Sequence, residues 1–431
     1  MIQKIRITLL LSILLFGFTN INAQMHCRST LGGHLTPFHK KVPLLWAVEG
    51  TMAPGIMTSP ITGEDPAMLN GGMLIGALDF TTKKHTFYVE GGYKNWKNSE
   101  LTQPVTEFSK HLGMRQAFYG YNGDKTNIKL GLHETKLGNY FLIDERILGA
   151  SLDQEIGAFT LNARAGTVMD MFARMGRFCG NRHLYNLITN DFTENIGEKG
   201  GETNLAGFVI NWNPNYKKPI ETNNVDEFSE FDEFSNSDDF GDKKSKLVAN
   251  VGLIVYDEFG KIIPDNKLYL GSIIDFNLPA KFGFQTGAVY QNMNLNNTFV
   301  YIAALNRNVT WKSGSLTKME VAYIGKYNID NDAVFQPLFS NMFLGEIMRL
   351  DATDFPLWKA SINHNFPGKL KFNIGLKGVG QIEANKTSEI DLEFGMKLFN
   401  HAKITTIFSW VGSQALQEDI YMGRLELRIA F

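Results

Sequence analysis

Beyond its first two dozen residues, the chain contains no uninterrupted apolar run approaching the roughly 20 residues that a helix needs to cross a bilayer. That absence argues against a helical membrane protein. Cysteine is nearly missing as well. Cys27 and Cys179 are the only two, too few for a disulfide framework in an exported chain of this size. There is no basic excess: the formal net charge is -2, which argues against nucleic-acid binding. Histidines are scattered. His133, His183, His364 and His401 lie in no recognisable nucleophile motif, so no enzymatic activity is expected. No cofactor or metal is expected either. The spacing of His26, Cys27, His34 and His39 fits no tight site, and Asp238, Asp239 and Asp242 do not match the calcium loop of an EF-hand.

What is present begins with an address. Lys4 and Arg6 precede an apolar stretch, Leu9 to Phe18, and Asn22-Ala23-Gln24 follows with a small residue where a signal peptidase would cut. Residues 1–23 therefore read as a cleaved secretory signal. Gln24-Met25-His26 before Cys27 lacks the small, apolar pattern of a lipoprotein. An exported chain without apolar helices is either soluble or a closed barrel, because only helices and barrels satisfy their backbone groups inside lipid. The plentiful glycine (41) and phenylalanine (32), with proline modest at 13, lean towards the barrel.

The final segment carries the argument. Tyr421, Gly423, Leu425, Leu427, Ile429 and Phe431 share one face, and Met422, Arg424, Glu426, Arg428 and Ala430 the other. Apolar residues towards lipid, polar residues towards a lumen and aromatics at both interfaces are what a membrane strand requires. Ile390, Leu392, Phe394, Met396 and Leu398 repeat the pattern against Glu389, Asp391, Glu393, Gly395 and Lys397. Eighteen strands follow, near 41–50, 72–81, 85–96, 113–121, 125–133, 144–154, 157–168, 204–213, 246–256, 266–277, 281–291, 298–311, 315–326, 356–366, 368–379, 387–398, 402–411 and 421–431. Sixteen is the alternative count. The expected fold is all-β: a closed antiparallel transmembrane β-barrel over 41–431.

Connection lengths give an independent check. With Phe431 on the periplasmic side, the connections at 81–84, 122–124, 154–156, 278–280, 312–314, 366–368 and 399–401 fall together and are short. The opposite connections, 51–71, 97–112, 169–203 and 327–355, are long. One stretch breaks the rule: 214–245 falls on the short-turn side. Its charge-rich block, ETNNVDEFSEFDEFSNSDDFGDKKS over 221–245, cannot build a core alone. It reads as a solvated, disordered linker, or as a peptide that docks a protein partner through Phe228, Phe231, Phe234 and Phe240. Residues 24–40 read as a periplasmic leader or a lumen segment.

The outer loop 169–203 is read in two ways, packed on the rim or folded inward to narrow the lumen. In the second case Arg164, Arg174 and Arg177 would place positive charge at a constriction, balanced by Asp170, and charged rings bias passage by sign. Cys27 and Cys179 would pair if the leader and this loop met in the lumen.

Two resemblances add to this reading. The final Phe431, preceded by alternating apolar residues, resembles the C-terminal signal by which outer-membrane barrels are recognised for insertion; it implies barrel assembly machinery and outer-membrane lipid of a Gram-negative bacterium as partners. The run LGNYFLIDERILGASLDQEIGAFTLNAR, 137–164, resembles a pattern in substrate-specific porins and alginate-export-like barrels, carried by Asp144, Glu145, Arg146 and Gly149 at the start of a lumen-facing strand. That resemblance implies a channel passing a small or linear hydrophilic solute. A non-conducting barrel subunit of an assembly, secretion or uptake complex is the alternative, and the acidic Phe-rich segment is what supports it.

Overall fold

A computed structural model describes residues 36–39, 42–58, 67–98, 110–138, 142–168, 203–212, 248–260, 266–278, 282–294, 297–329, 335, 343–345, 349–350, 356–368, 371–382, 386–399, 401–414 and 418–431. The expected signal peptide, residues 1–23, lies outside them. The strands in chain order are β1 (Thr36–His39), β2 (Val42–Met52), β3 (Gly55–Met57), β4 (Ala67–Thr81), β5 (His85–Asn98), β6 (Lys110–Asn122), β7 (Thr126–Leu137), β8 (Ile143–Ile156), β9 (Phe159–Val168), β10 (Thr203–Trp212) and β11 (Val248–Gly260). They continue with β12 (Lys267–Leu278), β13 (Phe282–Asn292), β14 (Thr298–Thr310), β15 (Leu316–Asn328), β16 (Phe343–Leu344), β17 (Arg349–Leu350), β18 (Leu357–Phe366), β19 (Phe372–Gln381), β20 (Ser388–Phe399), β21 (Ala402–Gly412) and β22 (Ile420–Ala430). No helix occurs among the described residues.

Each barrel strand pairs antiparallel with its neighbours, and the sheet closes where β2 meets β4 on one side and β22 on the other. Eighteen strands make the circuit, as the alternation predicts. The first of them is longer than the sequence suggests. It runs through β2 and resumes as β3 beyond Ala53-Pro54, and both pieces lie between β22 and β4. Proline has no N–H to give a ladder, which is why the strand breaks there. Pro54 keeps its carbonyl in play, accepting from the Leu425 N–H at 2.9 Å. β1, within the predicted leader, pairs with the start of β2 (Thr36↔Trp46). Phe431 and Val48 exchange backbone hydrogen bonds of 2.9 Å, so the last residue is sewn into the seam.

Burial is inverted relative to a water-soluble sheet. On β22, Arg424 and Glu426 are buried, while Tyr421 and Leu425 are exposed at 55 % and 44 %. The same holds around the circuit: Leu78, Leu253, Val321, Leu376 and Phe408 are all exposed on the outside. An apolar outer belt of this extent is stable only against hydrocarbon. Aromatic pairs border it at both ends. Phe87–Tyr119 (5.2 Å between centroids), Phe276–Phe284 (6.0 Å) and Phe366–Phe372 (5.6 Å) lie near the end that holds Phe431, here the proximal end. Tyr301–Tyr323 (6.0 Å) lies towards the distal end.

The turn expected at 154–156 sits instead at Gly157-Ala158, because β8 runs on to Ile156 and Gly157 takes the positive φ (59°) that the tight turn needs. The ends of β10 and β11 that flank 213–247 are proximal by strand order, so the long connection does leave from the short-turn side.

Candidate functional site

The lumen wall changes character along its length. Proximally it is a belt of hydrogen-bonded polar side chains. Asn211 donates to Asn162 (3.0 Å), which donates to Asp153 (2.7 Å), and Gln285 donates to Asp275 (2.6 Å). Lys359 pairs with Glu320 at 2.8 Å, and Arg428 with Glu49 at 2.6 Å across the closing seam. Lys377 lies directly opposite Asp391 in register. These cross-strand pairings neutralise the charges that they hold. Distal to that belt, Tyr256, Val289, Ile302, Ile324 and Val379 belong to one buried apolar cluster, and beyond it the distal strand ends bury Glu258, Lys267, Gln291, Gln381 and Glu389.

What covers that apolar wall is partly visible. The β6–β7 ladder stops at Ala117↔Leu132, and beyond it the β7–β8 hairpin leaves the wall. Its tip residues Leu137, Leu142, Ile143 and Ile147 join the buried lumen cluster. Leu137 reaches β10, where a Cβ added to Gly207 would lie 3.0 Å from its Cδ2. β10 is the third strand on from β7, so only an inward bend permits this. From the opposite wall, the connection between β15 and β18 places Phe335 edge-on to Tyr269 at 5.7 Å.

The bend has a cause. Gly131, Gly149 and Gly166 stand opposite one another in register across β7, β8 and β9. Gly131 holds φ at 118°, and a Cβ there would lie 2.5 Å from the Ala117 carbonyl oxygen. At Gly149 a Cβ would run into the Ala165 carbonyl and the Gly166 Cα. Along this row, where no side chains separate them, the three strands approach closely and crease, and the hairpin folds in above the crease. Gly149 is the glycine of the Asp-Glu-Arg-x-x-Gly run.

Beside the crease is a polar cavity of about 170 Å³ lined by Asn127, Lys129, Thr135, Ser151, Asp153 and Arg164, among others. Arg164 pairs with Asp153 at 2.7 Å and donates to the Leu152 and Ala163 carbonyls at 3.0 and 2.9 Å. Arg146, buried on β8, pairs with Glu134 at 3.1 Å. His133 is fully buried, with its Nε2 2.5 Å from Ser151 Oγ and its Nδ1 2.9 Å from the Gly131 carbonyl oxygen.

Of the site residues predicted from sequence, Arg164 lies on the cavity side of β9, paired with Asp153, whereas Arg146 stands five residues along β8 from Ser151, the partner of Arg164 in register, and pairs with Glu134 within electrostatic range of Arg115; the structure does not bring the two arginines together. Phe431 sits at the seam, its ring stacked 5.7 Å from that of His401. Asp170, Arg174, Arg177, Cys27, Cys179, Phe228, Phe231, Phe234 and Phe240 lie outside the described residues. Sequence reasoning missed Glu90 and Arg115, an ion pair at 3.0 Å with both side chains at 0 % exposure. The register shifts beside Glu90, which pairs with Gln116 while Gly91 pairs with Met114, so Arg115 is the extra residue of a bulge. The signal was there: Arg115-Gln116 is a polar doublet in an otherwise alternating strand. His133 and Ser151 carried no local signal.

These features define a class: the closed, antiparallel, eighteen-stranded barrel of outer-membrane type. No protein-family model matches the chain, and no curated protein matches it in sequence. Among solved structures it is similar to OccAB4 of Acinetobacter baumannii, with a TM-score of 0.53 and 10 % identity over 93 % of this chain and 99 % of that one. It is similar also to OccK5 (OpdH) of Pseudomonas aeruginosa, with a TM-score of 0.52 and 8 % identity over 90 % of this chain and 98 % of that one. At such identities the likeness establishes the fold.

Proposed function

We propose that this chain is a porin-like channel of a Gram-negative outer membrane that passes a small or linear hydrophilic solute. The observation that carries the reading is the polar proximal lumen, which leads to a polar cavity beside an inward hairpin inside a closed barrel. The structural neighbours are Occ/Opd outer-membrane porins, which supports the same reading. Substrate specificity of the kind suggested by the 137–164 run would be set by Arg164 beside the crease, by Arg146 further along β8 and, from the 169–203 loop, by Asp170, Arg174 and Arg177. Because Arg164 is neutralised by Asp153, little charge selectivity is expected from that pair. Single-channel recording in planar bilayers tests both points. The wild type should give discrete conductance steps, and Asp153→Asn should shift selectivity towards anions. A sealed bilayer with correctly folded protein would refute the channel.

The alternative is a non-conducting barrel that serves a partner, and the buried apolar cluster inside the lumen is the observation that favours it. In that case 214–245 docks the partner through Phe228, Phe231, Phe234 and Phe240, and co-purification lost with the segment deleted is the expected outcome. A bridge between Cys27 and Cys179 would tie the leader to the outer loop, and non-reducing peptide mapping reads it directly.

A further inference from the structure

The lumen wall at the crease holds a serine and a histidine within hydrogen-bond distance of each other. His133 Nδ1 lies 2.9 Å from the Gly131 carbonyl oxygen. A carbonyl oxygen only accepts, so Nδ1 carries the proton and Nε2 is the bare nitrogen. Ser151 Oγ, 2.5 Å from Nε2, therefore donates its hydroxyl proton to it. Tautomer and direction are those of a hydroxyl poised to lose its proton to a general base. The base is fixed in place: His133 is fully buried, with the Phe118 ring edge-on at 6.2 Å. The imidazole spans the crease, where Gly131 and Gly149 leave the space above the strands clear. Ser151 faces the cavity. Directly opposite it in register stand Lys129 on β7 and Arg164 on β9. Arg164 is turned to Asp153, which leaves Lys129, its ammonium 5.2 Å from the Phe118 ring centre, as the other cation lining the cavity with Ser151. The Thr135 hydroxyl lies 3.4 Å from Ser151 Oγ in the same cavity.

We propose that Ser151 is a nucleophile activated by His133, and that the cavity hydrolyses a small carboxylic ester carrying a negative charge. Ser151 Oγ bonds to the acyl carbon as its proton passes to His133 Nε2. The bond from the acyl carbon to the ester oxygen breaks, and that oxygen takes the proton from Nε2 and leaves as an alcohol. Water then adds to the acyl carbon, giving a proton to Nε2; the bond to Oγ breaks, Ser151 recovers the proton and the acid departs. Water is the one co-reactant and nothing is oxidised or reduced. Lys129 supplies positive charge where the acyl oxygen becomes negative. This site does not depend on conduction: labelling reads the chemistry and conductance reads passage.

The test uses the full chain refolded in detergent, its fold checked by heat-modifiable gel mobility, and a fluorophosphonate reagent. One adduct at Ser151 is expected, absent in Ser151→Ala and formed at least ~100-fold more slowly in His133→Gln, the scale of a lost general base. Hydrolysis of 4-nitrophenyl hemisuccinate should fall in parallel. Folded wild type without an adduct at Ser151, or an adduct whose rate His133→Gln leaves unchanged, overturns the proposal. Where His133→Gln does not fold, the thiol of the S151C variant replaces it. Its alkylation by iodoacetamide should titrate well below the ordinary thiol value of about 8.5, since a neighbouring imidazolium favours thiolate. A titration at the ordinary value overturns the proposal equally.

Discussion

The buried pair Glu90–Arg115 is the sharpest place to perturb this barrel. Both side chains are at 0 % exposure, their charged atoms are 3.0 Å apart, and the Tyr88 hydroxyl donates to Glu90 at 2.6 Å. Glu90→Gln keeps an acceptor for Tyr88 and removes only the negative charge, so Arg115 stays buried without its nearest counter-ion. Breaking a buried pair from one side costs about 3–5 kcal/mol. Arg146 lies within electrostatic range of Arg115 and adds to the loss, while Glu134 and Glu49 offset it, so the lower figure is the minimum expected. About 3 kcal/mol is on the order of 150-fold in the unfolding equilibrium. Replacing both partners by methionine removes two desolvated charges at once and should return stability to within about 1–2 kcal/mol of wild type. With Glu90→Met and Arg115→Met each near ~3 kcal/mol, the double-mutant cycle then gives a coupling of roughly 4–5 kcal/mol. Urea unfolding of liposome-inserted protein, followed by tryptophan fluorescence and gel mobility, measures each corner. Single variants that each cost under about 1 kcal/mol would refute the reasoning, because that is the value of a solvated pair.

Gly149→Val should abolish or severely reduce assembled barrel, since a Cβ there meets backbone on β9, whereas Gly50→Ala, where a Cβ meets nothing within 4 Å, should be neutral; heat-modifiable mobility of membrane fractions separates them. Leu425→Arg, at a half-exposed outer position that a water-soluble sheet would tolerate, should cost about 2–4 kcal/mol in liposomes. An unchanged urea midpoint would remove the lipid-facing assignment. Deleting Phe431 removes two backbone hydrogen bonds to Val48 at the seam, so assembly in cells should fall further than refolding in detergent, where no recognition step operates.

Much of this molecule is local. Alternation in β22, β20 and β19 is a property of neighbouring residues, and a lipid-facing strand has no freedom to place a charge outward. The strand count, the two faces and the sorting of short from long connections were therefore readable from the sequence, down to the misfit of 214–245. Legibility ended where register mattered. The bulge at Arg115 moves one residue to the wrong face of any period-two count, and Pro54 splits a strand that pairing reunites. The glycine row needs three strands aligned before Gly131, Gly149 and Gly166 become one crease. Ser151 and His133 meet only because that crease brings adjacent strands into diagonal contact. Sequence by itself determined that the chain is a barrel and which side chains face lipid, because hydrocarbon is a uniform solvent that each residue answers alone. Tertiary structure decided what fills the lumen, because there each polar or apolar group is stable only against a particular partner across the sheet.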